Sequence, residues 1–299
     1  QVRLFERQEF PRFKVGESLI PAVNLTLERI GILDELNQSA YTEKFGVQFY
    51  SPSGPTRPFY FSEVEDPRMH KTWQVLRSDF DDRMLKNATK AGVLAETGVE
   101  VASILTQDDH ADAVTGVEVR KQDGSCESVH AKVVVDATGQ NGLLAKAFGQ
   151  RQHIPGLENA AVFSHYEGVV RDEGVDAGST LIFRLEGQAW IWFIPLPDTV
   201  SIGLVAPSHC LSDFGSSPAE ILDTAIARCP ALHERLQSAK RTMDVKAARD
   251  VSYRAARDGG SGWLLVGDAL GFIDPIYSTG LLLAFNSAEL GAKAIMDRL

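Results

Sequence analysis

Cysteine is scarce in these 299 residues: Cys126, Cys210 and Cys229 stand far apart and odd in number. They form no CxxC pair, which argues against a disulfide framework and for a reducing, cytoplasmic setting. The seven histidines are scattered without HxH or HxxxH spacing, so no metal site is expected. A basic excess is missing too. With 30 Lys and Arg against 40 Asp and Glu the net charge is -10, and the electrostatic footprint of a nucleic-acid binder is absent. No apolar run reaches the roughly 18 residues of a membrane span, and no basic-then-apolar leader opens the chain. Repeats and low-complexity segments are lacking as well. What remains is a chain 44% hydrophobic, long enough to bury one large core or two intimate ones.

The organising stretch lies near the end. Trp263-Leu264-Leu265-Val266 reads as a short buried strand that stops at Gly267-Asp268, a carboxylate at a strand's C-terminal edge. Ser278-Thr279-Gly280 then has the composition of a helix start, and Leu281-Leu282-Leu283-Ala284-Phe285 opens a long apolar helix. In an open α/β sheet a polar ligand sits beyond the strand ends, and free amides at a helix start suit an anion.

The remaining elements frame that stretch. Residues 1–6 read as a strand ending in Glu6, and a helix is expected over 19–30 with Pro21 in its first turn. Strands are expected near 45–51, 57–61 and 72–77, the last handing over at Ser78, as N-cap, to an amphipathic helix. Residues 99–135 read as a β-meander with turns at 107–109 and 122–125, closing on Val133-Val134-Val135-Asp136-Ala137-Thr138-Gly139. That last run is a buried parallel strand or a tight strand-to-helix turn. From 151 to 245 long antiparallel strands follow, at 160–167, 180–185, 190–195 and 200–205, then a helix with a capping box at Ser217-Pro218-Ala219-Glu220. The expected division is a nucleotide-binding region of 1–40, 72–150 and 248–299, with a substrate-side sheet region of 41–71 and 151–247.

Taken in order, the strand-end acid, Gly16-Glu17-Ser18, Gln74-Val75-Leu76-Arg77-Ser78-Asp79, the Ala137-Thr138-Gly139 turn and Gly267-Asp268 resemble the FAD-dependent monooxygenase superfamily. Trp190-Ile191-Trp192-Phe193-Ile194-Pro195 matches the WxWxIP signature of its flavin-dependent halogenase branch residue for residue, and Phe10-Pro11-Arg12 is similar to that branch too. The resemblance covers the whole chain and implies an α/β fold: a glutathione-reductase-type, Rossmann-like FAD domain with an inserted antiparallel-sheet substrate domain. It also implies a glycine-rich β-α unit before Glu6. This chain does not contain one, nor the region that usually follows the last helix, so weak FAD binding is expected of it.

Carried over by position, the resemblance implies that Glu6 and Arg7 meet the adenosine ribose and that Gln74 and Arg77 contact FAD. Ala137, Thr138 and Gly139 would pass beside the cofactor, Gly267 and Asp268 would receive its hydroxyls, and Pro275 would face the isoalloxazine. The amides of Thr279 and Gly280 would hold a halide ion. Lys44 is the implied catalytic lysine, handling hypohalous acid made from halide and a flavin hydroperoxide beside an electron-rich aromatic substrate. Away from that context a lysine at a strand entrance is ordinarily solvated. Trp190, Trp192 and Pro195 would wall the substrate side from the flavin, although a buried sheet position accounts for the tryptophans equally. A separate flavin reductase is implied as partner. One departure stands out: tryptophan-specific members carry a glutamate where this chain has Tyr277, which turns the expectation toward phenols, pyrroles or a carrier-bound aromatic. A non-halogenating FAD monooxygenase, a geranylgeranyl-reductase-like enzyme and a non-catalytic flavin- or partner-binding protein stay open as alternatives.

Overall fold

The computed structural model describes residues 1–107, 110–148 and 151–298; Asp108 and Asp109, in the expected first meander turn, lie outside them. A ten-stranded sheet dominates. At its centre the strand Trp190–Pro195 is buried at every residue, because its apolar side chains alternate to both faces and neither face tolerates water. Ile191 and Phe193 pack toward Leu222 and Ala225 of the helix Pro218–Ala227 and Leu232 of the helix Pro230–Arg235. Trp190, Trp192 and Ile194 form the other face, among Phe163, Ile182 and Val205, with Val15, Val47, Phe49 and Ile276 against them.

One glycine makes that second face possible. Gly203 lies opposite Trp192 across the sheet, and a Cβ there would sit 2.2 Å from the indole ring and 2.6 Å from Phe163. The indole therefore lies flat over backbone, with its Nε1 donating to Ser201 Oγ at 3.1 Å.

Two features of this sheet go beyond the expected antiparallel arrangement. The strand Thr180–Arg184 pairs antiparallel with Trp190–Pro195 on one side but parallel with Gly46–Ser51 on the other. A parallel pair needs a long crossover, and the chain from 52 to 179 supplies it. The boundary expected at 248 falls inside the strand Lys246–Ala255, which pairs with the 17-residue strand Arg151–Glu167 along an edge that Val200–Pro207 leaves open. Gly271–Phe272 then extends the same sheet.

The parallel part is built in two pieces. Arg3–Glu6 pairs with Leu94–Thr97, and Val134–Asp136 pairs with Trp263–Leu265. Beside them runs the meander Glu100–Gln107, His110–Arg120 and Cys126–His130, with Val117 and Val119 buried under Phe5 and Val134. The expected helix over 19–30 is a 3-10 turn, Pro21–Val23, followed by the helix Asn24–Arg29. The capping box at Ser217 and Glu220 has both arms in place. Ser78 does not cap its helix. The helix Arg77–Lys90 begins two residues earlier, with Leu76 in the cap position, because the Leu76 carbonyl already accepts the amides of Asp79 and Phe80. The last helix, Gly280–Arg298, lays Leu281, Leu282 and Phe285 on a core of Leu19, Leu27, Tyr41 and Trp73. No helix among the described residues is long and apolar enough to cross a membrane.

Replacing Gly203 by alanine is expected to lower stability by about 1–3 kcal/mol, the range for overpacking a filled core. Denaturant unfolding checks this, and an unchanged midpoint would show that Trp192 can move aside without loss.

Candidate functional site

Residues 17–19 run beside Thr72–Gln74, with the Val75 amide donating to the Glu17 carbonyl and the Leu19 amide to the Trp73 carbonyl. Thr72–Gln74 also pairs with Thr42–Lys44 on its other edge. These three short segments place Lys44 in the interior, where only 1% of it is exposed. Its Nζ donates to Ser18 Oγ at 2.8 Å and to the Leu19 carbonyl at 3.0 Å, and lies 5.6 Å from the Phe61 ring centre. Among the described residues no carboxylate neutralises it. Burial alone pushes its amine from the usual 10.5 down to about 7. A lysine in this state is a proton donor and a nucleophile at the same pH.

The strand-end acid is a second centre. Trp263–Leu265 ends at Gly267, whose φ of +57° turns the chain into a short 3-10 helix carrying Asp268. Burial pushes the Asp268 carboxyl up, against the pull of Lys14 and Arg77. Among the described residues no hydrogen-bond donor meets that carboxylate, while its backbone carbonyl accepts the Tyr253 hydroxyl. Arg77 is held in place by Asp81 at 2.7 Å and by the carbonyls of Val15 and Gly16. Ten residues beyond Asp268, Ser278 adopts a left-handed conformation, and the terminal helix follows. The Thr279 and Gly280 amides meet no described acceptor, and a Cβ on Gly280 would have nothing within 4 Å. Pro275 opens the turn just before, and Tyr277 beside it is 66% exposed with its ring edge on Phe49.

The aromatic face of the large sheet adjoins this second centre. Trp190 and Trp192 lie 6.2 Å apart, and the cluster they form includes both Phe49 and Ile276. Pro195 does not share that wall. Alternation along the strand puts it with Ile191 and Phe193 on the opposite face, which corrects its expected role. Gln74 is a correction as well. It is fully buried, and its Nε2 donates to the Gly178 carbonyl and to Thr180 Oγ1, both at 2.9 Å, so the side chain is a brace between sheets and offers no surface to a cofactor.

The remaining expected residues lie around the ends of the parallel strands. Glu6 receives the Gln8 amide at 2.9 Å and stands 3.6 Å from Arg12. Arg7 is exposed and lines a depression of about 400 Å³ with Gly98, Glu100 and Arg120. After Val134–Asp136, the Asp136 carboxylate accepts the amides of Thr138 and Leu144, leaving Ala137 and Thr138 exposed and Gly139 with open space at its Cβ position. A larger depression of about 550 Å³, between Glu100–Gln107 and the helix Leu143–Ala147, holds none of the candidate residues. The donor-free Asp268 carboxylate, the open Gly139 turn and the free amides before the terminal helix fit a long polar cofactor such as FAD laid across the strand ends. Ser18, Thr180 and Phe61 were not singled out by sequence reasoning. Ser18 lies inside a quoted motif, but nothing local marks Thr180 or Phe61 as neighbours of Lys44.

Comparison with known proteins follows the same lines. The sequence profile of the family described as Tryptophan halogenase matches residues 1–73 and 63–297. A brominase of 1H-pyrrole-2-carbonyl-(peptidyl-carrier protein) from Pseudoalteromonas luteoviolacea is 33% identical over 298 residues, covering 98% of this chain and 71% of the relative. The corresponding chlorinase from Pseudomonas fluorescens is 28% identical, over 98% of this chain and 70% of its own length. Among solved structures, the myxobacterial chondrochloren halogenase, described as a new variant of FAD-dependent halogenases, superposes with a TM-score of 0.92 at 32% identity, over 99% of this chain and 68% of that one.

The Lys44 amine predicts a pH signature. An amine that titrates near 7 when folded, against 10.5 when free, binds fewer protons than the unfolded chain between those values. Stability therefore rises with pH across that window, by about 1.4 kcal/mol per pH unit, and the gain is lost as pH falls toward 7. Unfolding of the native protein and of Lys44→Met, compared from neutral to alkaline pH, is expected to diverge in favour of the native protein as pH rises. Parallel curves would place the amine in water.

Proposed function

The chain belongs to the tryptophan halogenase family of flavin-dependent enzymes, and on that premise we propose that it halogenates an electron-rich aromatic substrate, with Lys44 as the catalytic residue. The observation that carries this reading is the burial of an amine with two neutral partners and no counter-charge. A lysine kept only for packing or charge would sit at the surface or beside a carboxylate.

Glu6 and Arg7 would hold the adenosine end of FAD, Ala137 to Gly139 and Gly267-Asp268 would line the middle of the cofactor, and Pro275 would face its ring. FAD, reduced by a separate flavin reductase, would supply with O2 the oxidising power that turns halide into an electrophile. The Thr279 and Gly280 amides would hold the halide, since neutral N–H donors at the start of a 19-residue helix suit a chloride or bromide and the first turn of that helix carries no acidic residue. Lys44 would act on the hypohalous acid: as ammonium it donates to the oxygen, and as free amine it takes the halogen while the halogen–oxygen bond breaks and the hydroxide leaves with an amine proton as water. Trp190 and Trp192 keep the substrate from the flavin.

Tyr277 sets the substrate class. Tryptophan-specific members have a carboxylate at this position to polarise the indole N–H, whereas a large, exposed phenol here borders a site for a pyrrole or phenol. The two pyrrole relatives act on carrier-bound substrates, and a carrier-bound pyrrole or similar aromatic is the substrate we assign.

Supplying FAD, a flavin reductase, bromide and a panel of phenols, pyrroles and indoles, free and carrier-bound, tests this by the bromine isotope doublet in the products. Lys44→Ala is expected to cut halogenation by about 10²–10⁴-fold, the usual range for losing a positioned proton-handling group, while flavin reoxidation and hydrogen peroxide release persist. Hydroxylated or reduced products would move the chain to a non-halogenating branch, and full activity in Lys44→Ala would remove that residue from the chemistry.

A further inference from the structure

The Arg77 guanidinium has five N–H groups, and the protein itself takes four of them. Nε donates to Asp81 Oδ1 at 2.7 Å and Nη2 to Asp81 Oδ2 at 3.0 Å. Nη1 donates to the carbonyls of Val15 at 2.9 Å and Gly16 at 3.1 Å. One proton on Nη2 is left for any further partner. In an extended strand successive carbonyls point to opposite sides, so two of them meet one nitrogen only where the chain turns. Gly16 makes that turn with a φ of +102°, which glycine adopts without strain. A Cβ there would stand 3.1 Å from Nη1, so the glycine also lets the guanidinium close on the backbone. Asp81 is held from its other side by Arg12, whose Nη1 donates to Oδ2 at 2.8 Å. The side chains of Arg77 and Asp81 are each 11% exposed. A bidentate pair sheltered from water in this way is the strong form of a charge-assisted contact.

Directly after this turn come the two groups that hold the Lys44 amine, Ser18 Oγ and the Leu19 carbonyl. Their segment is bound to Thr72–Gln74 through the Val75 and Leu19 amides and a bridge between Ser18 and Gln74. A strand contact that short is marginal by itself. We propose that Arg77 and Asp81 act as one fork that seats the turn at Val15 and Gly16, and so fixes Ser18 and Leu19 against Lys44. Both are positioning residues, and their part in the reaction rests on the assignment of Lys44 to the halogen-transfer step. An arginine kept for the cofactor would hold its donors free to meet it, whereas this one directs four of five into the segment beside Lys44 and into Asp81. Lysine is no substitute here, because its compact ammonium cannot span a carboxylate and two carbonyls as the planar fork does.

The fork is tested by how often Lys44 leaves its place. A small amine-acylating reagent, with each lysine followed by mass spectrometry, reads this without flavin, halide or turnover. In the native chain Lys44 is expected to react far more slowly than the exposed Lys240 and Lys293. Arg77→Lys keeps the charge and Asp81→Asn keeps the shape. Each is expected to speed Lys44 acylation by about 10–100-fold, the factor for losing one charge-assisted hydrogen bond, with Lys240 and Lys293 unchanged. The double variant is expected to be no faster than either single one, since the two residues act as a unit. Gly203→Ala loosens the large sheet and is expected to leave Lys44 protected, which separates release of this segment from a general loss of stability. Unchanged Lys44 rates in the folded variants overturn the fork, and if one variant does not fold the other decides. A second measurement separates positioning from cofactor binding. In both variants the share of reduced flavin that ends in halogenated product, against hydrogen peroxide, is expected to fall by about 10–100-fold. The FAD dissociation constant, read by flavin fluorescence, is expected to stay at the native value. Weaker FAD binding with an unchanged product share would make Arg77 a cofactor ligand and overturn the proposal. A native chain that does not halogenate would remove the proposed function, and the acylation rates would still decide the fork.

Discussion

An amine buried without a counter-charge is the constraint around which the rest of this structure is arranged. Lys44 is kept in the interior by the Leu19 carbonyl and the Ser18 hydroxyl, and these are held in turn by Thr180, Gln74 and the Gly178 carbonyl. Residues 18, 44, 74 and 180 come from four separate stretches, so the amine is satisfied only when the short strands and the large sheet have docked. A buried donor or acceptor left unmatched costs about 1–3 kcal/mol, which makes the placement of each partner sensitive to the others. The same dependence ties the chemistry to the fold: an amine in water titrates above 10, and one locked in this setting titrates near 7.

The large sheet serves both needs through its two faces. One face covers the helices Pro218–Ala227 and Pro230–Arg235 with Ile191, Phe193, Leu204 and their neighbours, and contributes hydrophobic stability. The other presents Trp190, Trp192 and Phe163 toward Val15, Phe49 and Ile276, which belong to the segments that carry the candidate site. Gly203 lets the Trp192 indole lie flat on that face, and Thr180, on the same sheet, reaches the Lys44 network through Ser18. A rigid sheet is thus the common reference for the amine, for the aromatic wall and for the strand-end acid Asp268.

Much of this was legible before any coordinates. Trp190–Pro195 is apolar at six consecutive positions, so its burial on both faces follows from composition alone. Ser217 and Glu220 sit at the spacing of a capping box, and that local geometry does not depend on the rest of the chain. Elements whose ends depend on distant partners were misread. Ser78 has a capping side chain, but the extended backbone of Leu76 already starts the helix. The limit expected at 248 lies inside the strand Lys246–Ala255, which pairs with a strand almost a hundred residues earlier. Gln74 was expected to touch a cofactor from the family resemblance alone; its partners, Gly178 and Thr180, lie more than a hundred residues away.

The sequence by itself determined the candidate groups and the local elements that carry them: Lys44 beside a strand, the acid Asp268 after a buried strand, the helix start at Ser278-Thr279-Gly280, and the two indoles on one strand face. These follow from residue type and short-range periodicity, which act within a few residues. Only the tertiary structure decided that Lys44 meets no charged partner among the described residues, that Ser18 links it to Thr180 and Gln74, and that Pro195 turns from the wall Trp190 and Trp192 form. Desolvation and hydrogen bonding depend on what surrounds an atom in space, and here that surrounding is assembled from segments as far apart as residues 18 and 180.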